Sequence, residues 1–152
     1  MNSFSFEGIV YVRDCEEARS ILEGLKSIVE HVAERQVDCE ENAEKYGPGV
    51  LRVDICICGE CSASTSTRVD ATIKRLGDFT VTGAKFEFEA KFETEWEEER
   101  GYFFVGAEEQ VAEAQSKDAR EQILALLPKL RGDDISAVLH SVTKDVKTAG
   151  LE

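Results

Sequence analysis

The sequence predicts an α+β domain: a small, mostly antiparallel sheet with helices packed on one face, in the order β-α-β-α-β-β-α-α. Three observations carry that expectation. Ala18, Ile21, Leu22, Leu25, Ile28, Val29 and Val32 recur at three- and four-residue steps, a single apolar stripe on one helix face. Phe86, Phe88, Ala90, Phe92, Thr94 and Trp96 alternate with charged residues, as a half-buried strand requires. The length of 152 residues, with 42% hydrophobic and 32% charged residues, suits one domain with a core that needs no disulfides. The whole of 1–152 is expected to be that domain, with a C-terminal helical pair over 107–148 packed on it.

Taken in order, residues 4–12 read as the first strand, with Phe4, Phe6, Gly8, Val10 and Val12 on one side and Ile9 and Tyr11 on the other. Asp14 begins the first helix, and Asp14 with Glu17 has capping-box spacing. Its stripe stops near Gln36, and the polar stretch from Val37 to Gly49 reads as a loop closed by Gly47-Pro48-Gly49. Leu51, Val53, Ile55 and Ile57 alternate with Arg52, Asp54, Cys56 and Cys58, a strand over 50–58. The following stretch admits two readings. As a strand it would follow a tight turn at Gly59-Glu60. As a helix over 66–76 it has Thr67 and Asp70 as a capping box and Gly77 as its stop, and these position-specific signals favour the helix.

The strand over 79–96 is expected to turn at 97–101 and return as Tyr102 to Val105, which sets Tyr102 near Trp96 and Phe104 near Thr94. Thirteen residues from Ala84 to Trp96 would span about 44 Å, twice an ordinary strand, so a bend near Lys91 or a projecting tip is required. A helix over 107–127 follows, with Ala119, Ile123, Leu126, Leu127 and Leu130 on its apolar side and Pro128 ending or kinking it. A last helix starts at Asp133 or Asp134. Arg131-Gly132-Asp133 spells an adhesion tripeptide, but a glycine before an aspartate cap explains it.

Charge and cysteine usage restrict the function classes. A formal net charge of −13 argues against direct nucleic-acid binding and against docking on an anionic membrane. The N-terminus lacks a basic region and meets acids at Glu7 and Asp14, and no apolar run approaches the ~20 residues of a membrane span. Five cysteines, three of them within 56–61, suit reduced thiols and a cytoplasmic location.

One alternative function is a cysteine-based metal or thiol site centred on Cys58 and Cys61, with Cys56, Cys58 and Cys61 as the candidate metal ligands, because Cys58-Gly-Glu-Cys61 has the gap of a zinc knuckle. No second such pair accompanies it, and the favoured reading packs Cys56 and Cys58 as small apolar residues under a helix. His31 and His140 sit in no triad motif, phosphate loops are absent, and the carboxylates are too many to single out a catalytic pair. No catalytic residue, cofactor or bound metal is therefore expected, and the chain leans away from enzymes. The acidic ridge from Glu87 to Glu99 raises an alternative, an inhibitor that mimics nucleic acid. Its carboxylates stand ~6.6–6.8 Å apart, whereas duplex DNA carries a charge every ~1.7 Å, and Lys85 and Lys91 dilute the row.

The leading expectation is a small acidic protein with a non-enzymatic protein-binding or regulatory role, with a protein partner or a second copy as its target. Phe92, Trp96, Tyr102 and Phe104, rimmed by glutamates, form the expected interaction surface.

Overall fold

The computed structural model describes residues 3–30, 32, 34–60, 62–91, 98–134, 136, 137 and 139–141. The chain divides into two compact units, Met1–Gln115 and Ser116–Glu152. In the first unit β1 (Ser3–Arg13) is followed by α1 (Glu16–Ile28), β2 (Glu34–Glu41), β3 (Val50–Glu60), α2 (Ala63–Arg75), β4 (Ala84–Lys91) and β5 (Glu98–Val105). The strands form one five-stranded antiparallel sheet in the order β2-β3-β1-β4-β5. In β1-α1-β2 and in β3-α2-β4 the two strands are parsed by a third lying between them, the ferredoxin-like split βαβ arrangement. β5 extends the sheet by a hairpin.

The α+β class and the antiparallel sheet agree with the sequence, but the order gains a strand. Residues 37–41 of the expected loop belong to β2, and only the turn beyond it remains irregular. The first helix is correspondingly shorter than its stripe. It ends at Ile28, and Val29 and Val32 stay buried in the turn that follows. Arg35 Nη1 donates to the Val29 carbonyl at 2.8 Å, satisfying a helix-end acceptor while the chain extends into β2. At the other end Cys15, not Asp14, is the N-cap, and it gives no side-chain cap. The Asp14 carboxylate instead accepts from Arg19 Nε and Nη2 at 2.5 and 2.8 Å. That hydrogen bonding holds its carboxyl below the ordinary value.

The helical reading of the serine-rich stretch holds, with its start moved. Ser62 is the N-cap of α2 and accepts from the Thr65 amide at 3.3 Å. Thr67 lies inside the helix, where its hydroxyl donates back to the Ala63 carbonyl at 3.0 Å. Gly77 does not stop the helix in a left-handed turn. It sits in a 3₁₀ turn, Leu76–Phe79, where an added Cβ would lie 3.1 Å from the Gly106 backbone nitrogen.

α1 and α2 share one face of the sheet. Ile21, Leu22 and Leu25 from α1, and Val69 and Ile73 from α2, close over Phe6, Val10, Val53, Ile55 and Phe86. Phe86 stacks on Phe103 with ring centroids 5.7 Å apart, and Phe6 meets Phe103 edge-on at 6.3 Å.

The hairpin register overturns the sequence expectation. Lys85 pairs with Phe104, Glu87 with Tyr102 and Lys91 with Glu98. Tyr102 is therefore not opposite Trp96, nor Phe104 opposite Thr94. β4 takes up Ala84–Lys91 of the expected strand, residues 92–96 lie outside the described residues, and Glu98 to Gly101 of the expected turn belong to β5. Gly106 (φ 147°) then turns the chain into α3 (Glu108–Leu126). Gln110 anchors that start: its side-chain oxygen accepts from the Thr80 hydroxyl at 2.7 Å and the Ala107 amide at 3.1 Å.

α3 continues into the second unit and ends before a 3₁₀ turn over Leu127–Lys129, as Pro128 requires. The apolar side expected for it is not buried: α3 has no buried residue, and Leu124 and Leu126 are exposed. Beyond it, 132–134, 136, 137 and 139–141 are helical.

Candidate interaction surface

Alternation assigns every second strand residue to the sheet face that α1 and α2 leave uncovered. One cross-strand row runs Gln36, Cys56, Glu7, Glu87, Tyr102, from β2 to β5. A neighbouring row carries Asp38, Asp54 and Ile9, and β4 and β5 add Lys85 opposite Phe104. Ile9 is 43% and Tyr102 55% exposed, large values for apolar and aromatic residues inside strands. Tyr46 of the β2–β3 turn covers one corner by packing on Tyr11, with centroids 4.7 Å apart. Gly47 and Gly49, both with positive φ, allow that turn to fold back.

Tyr102 and Phe104 meet edge-to-face at 5.9 Å, and the Lys85 ammonium lies 4.3 Å from the Tyr102 ring centre. Two of the four residues expected in the aromatic surface are thus together on the exposed face. Phe92 and Trp96 lie outside the described residues.

Beside these rings is a shallow depression of about 630 Å³, lined by Glu7, Ile9, Arg52, Asp54, Cys56 and Lys85 among others. Arg52 Nη2 lies 3.5 Å from Asp54 Oδ2, while Arg52 Nε and Asp54 Oδ1 are buried atoms without hydrogen-bond partners. Glu7 and Glu87 stand directly opposite each other on adjacent strands, and neither makes a hydrogen bond or ion pair among the described residues. Like charges so placed weaken a sheet. Farther along, Arg100 Nη2 reaches Glu89 Oε1 at 3.1 Å.

Cys56 and Cys58 do not pack under a helix. Cys56 is exposed and Cys58 half-buried, both on the uncovered face. The Cys58 thiol donates to Glu34 Oε2 at 3.1 Å, and that bond raises its pKa. Cys39, on the helix-covered side of β2, has its thiol pushed up by burial. Cys61 and His31 lie outside the described residues. Among the described residues no three His, Cys, Asp or Glu side chains converge as a metal site, and no helix is long and apolar enough to cross a membrane.

Sequence reasoning missed Ile9, Lys85 and Glu87 as members of this surface. Their alternation was legible, but which strands stood side by side was not. Comparisons with protein-family models, with curated proteins and with solved structures return no match to this chain.

Proposed function

We propose that this is a non-enzymatic binding or regulatory protein that acts through protein contacts on the uncovered sheet face, with Tyr102 and Phe104 on edge strand β5 as the anchors. The observation that carries the reading is Tyr102, an aromatic side chain 55% exposed in a strand and buttressed by Phe104 and Lys85. Rigid aromatics presented on a strand lose little rotamer freedom on binding, and tyrosine is enriched among residues that dominate interfaces. Arg52, Lys85, Lys91 and Arg100 interrupt the acids of this face, which are Glu34, Asp38 and Glu40 on β2 and Asp54, Glu7, Glu87 and Glu89 on the strands beside it. That mixture favours a protein contact over mimicry of nucleic acid, which calls for an evenly negative surface.

The test compares quantitative affinity capture by the wild type with capture by Tyr102→Ala/Phe104→Ala, with Leu124→Ala as control. A partner held by the wild type and the control, and weakened about tenfold or more by the double variant, is expected. Equal capture by all three contradicts the reading.

A further inference from the structure

The two edges of the sheet differ in chemistry. β2 carries Glu34, Asp38, Glu40 and Glu41 along its eight residues, whereas β5 ends in the uncharged run Gly101-Tyr102-Phe103-Phe104-Val105. Among the described residues β2 pairs only with β3, and β5 only with β4. An edge strand is a template for another strand unless charge, proline or a bulge blunts it. β2 is blunted along its length, β5 only over Glu98-Glu99-Arg100 at its start.

The same contrast decides what β5 can pair with. Two copies of β2 placed antiparallel about Val37 would set Glu34 against Glu40, and about Asp38 would set that aspartate against itself. Two copies of β5 about Tyr102 oppose no like charges. The pairs become Glu99 with Val105, Arg100 with Phe104, Gly101 with Phe103, and Tyr102 with its own counterpart. Residues paired in this register all share a face, so both uncovered faces lie on one side of a continuous sheet. Each Arg100 then meets the other copy's Phe104 ring, a cation–π pair that forms twice by symmetry.

We infer that two copies of this chain associate through antiparallel pairing of β5 with β5 about Tyr102, extending the sheet across a two-fold axis. This deepens the reading of Tyr102 and Phe104 as a contact surface, and rests on it, by naming the partner as a second copy. Main-chain hydrogen bonds supply the attraction, as in other strand additions. Each chain carries a formal net charge of −13, so the copies repel and added salt strengthens the pairing. A basic partner captured by the acidic face would show the opposite salt dependence.

The register is tested by cysteine cross-linking in the full chain with the exposed Cys56 changed to serine. At the axis the two Tyr102 Cα atoms would stand about 4.5–5.5 Å apart, inside the ~4.4–6.8 Å that a disulfide spans. Two Phe104 positions would be four residues out of register, about 14 Å apart. Tyr102→Cys should cross-link under mild oxidation, while Phe104→Cys and the parent should not. Equal cross-linking of both variants, or of neither, overturns the register. Sedimentation of the unmodified chain from about 10 μM to about 1 mM supplies the second readout. A dimer fraction that rises with concentration and with salt supports the inference, and a monomer throughout overturns it. A monomer that still loses a foreign partner in Tyr102→Ala/Phe104→Ala would overturn the pairing alone. Retention of that partner would overturn the contact surface as well.

Discussion

Gly8 faces the core from the central strand, between the buried Phe6 and Val10, and only the absence of a side chain lets Phe86 cross it. A Cβ built there would lie 2.5, 2.7 and 2.8 Å from Cδ1, Cε1 and Cγ of the Phe86 ring. Carbon atoms in contact prefer about 3.5–4.0 Å, so the ring would have to retreat by about 1 Å. Phe86 is 0% exposed and stacked on Phe103, so no free space receives it. Overpacking of this kind costs about 1–3 kcal/mol, offset by about 0.4–1 kcal/mol because alanine restricts the unfolded chain. Gly8→Ala should therefore lose about 1–2 kcal/mol in urea denaturation, read as a lower midpoint at unchanged slope. Phe86→Leu makes room at the cost of a cavity, and the double variant should be more stable than the two losses summed, by about 0.5 kcal/mol or more. A neutral or stabilising Gly8→Ala, or strict additivity, would refute the close approach of β1 and β4 at this point.

Leu25, 0% exposed on the inner face of α1, should lose about 3–5 kcal/mol when changed to alanine; a loss below about 0.5 kcal/mol in the same melts would show that this helix face is not core. Glu7→Gln removes one of two carboxylates that oppose each other without partners, and should raise stability by up to about 1 kcal/mol; a destabilised variant would show that Glu7 is paired. The Glu34 hydrogen bond raises the Cys58 thiol pKa above its ordinary 9.0, so the stability from that bond is present at pH 7 and lost as pH rises through the raised value. Glu34→Ala should move the pH midpoint of Cys58 alkylation down, and an unmoved or higher midpoint would contradict the contact.

The parts of the fold that local pattern specifies were legible in the sequence. The α1 stripe, the β1 and β3 alternations, the Gly-Pro-Gly turn and the effect of Pro128 all act within a few residues. β2 was not legible, because an edge strand buries little. Val37 and Cys39 are its half-buried contribution, and its acids read equally well as a loop. The start of α2 was displaced because two plausible caps stood five residues apart, and Ser62 wins by reaching the Thr65 amide. The hairpin misled for a different reason. Alternation in the sequence runs on to Trp96, whereas Glu98 to Gly101 already belong to β5, so side-chain period alone set the turn too late and slid the partner by nine residues. That slip carried the candidate surface with it. Tyr102 and Phe104 were chosen for their aromatic character, but their neighbours Glu87 and Lys85 follow only from the register.

The claim that this sheet presents Tyr102 on a solvent-facing surface meets its most direct test in hydroxyl-radical footprinting of the dilute chain, read residue by residue. The structure predicts rapid modification of Tyr102, slow modification of Phe86, and loss of Tyr102 labelling as the chain is concentrated or a partner is added. Tyr102 modified as slowly as Phe86 in the dilute chain would contradict it.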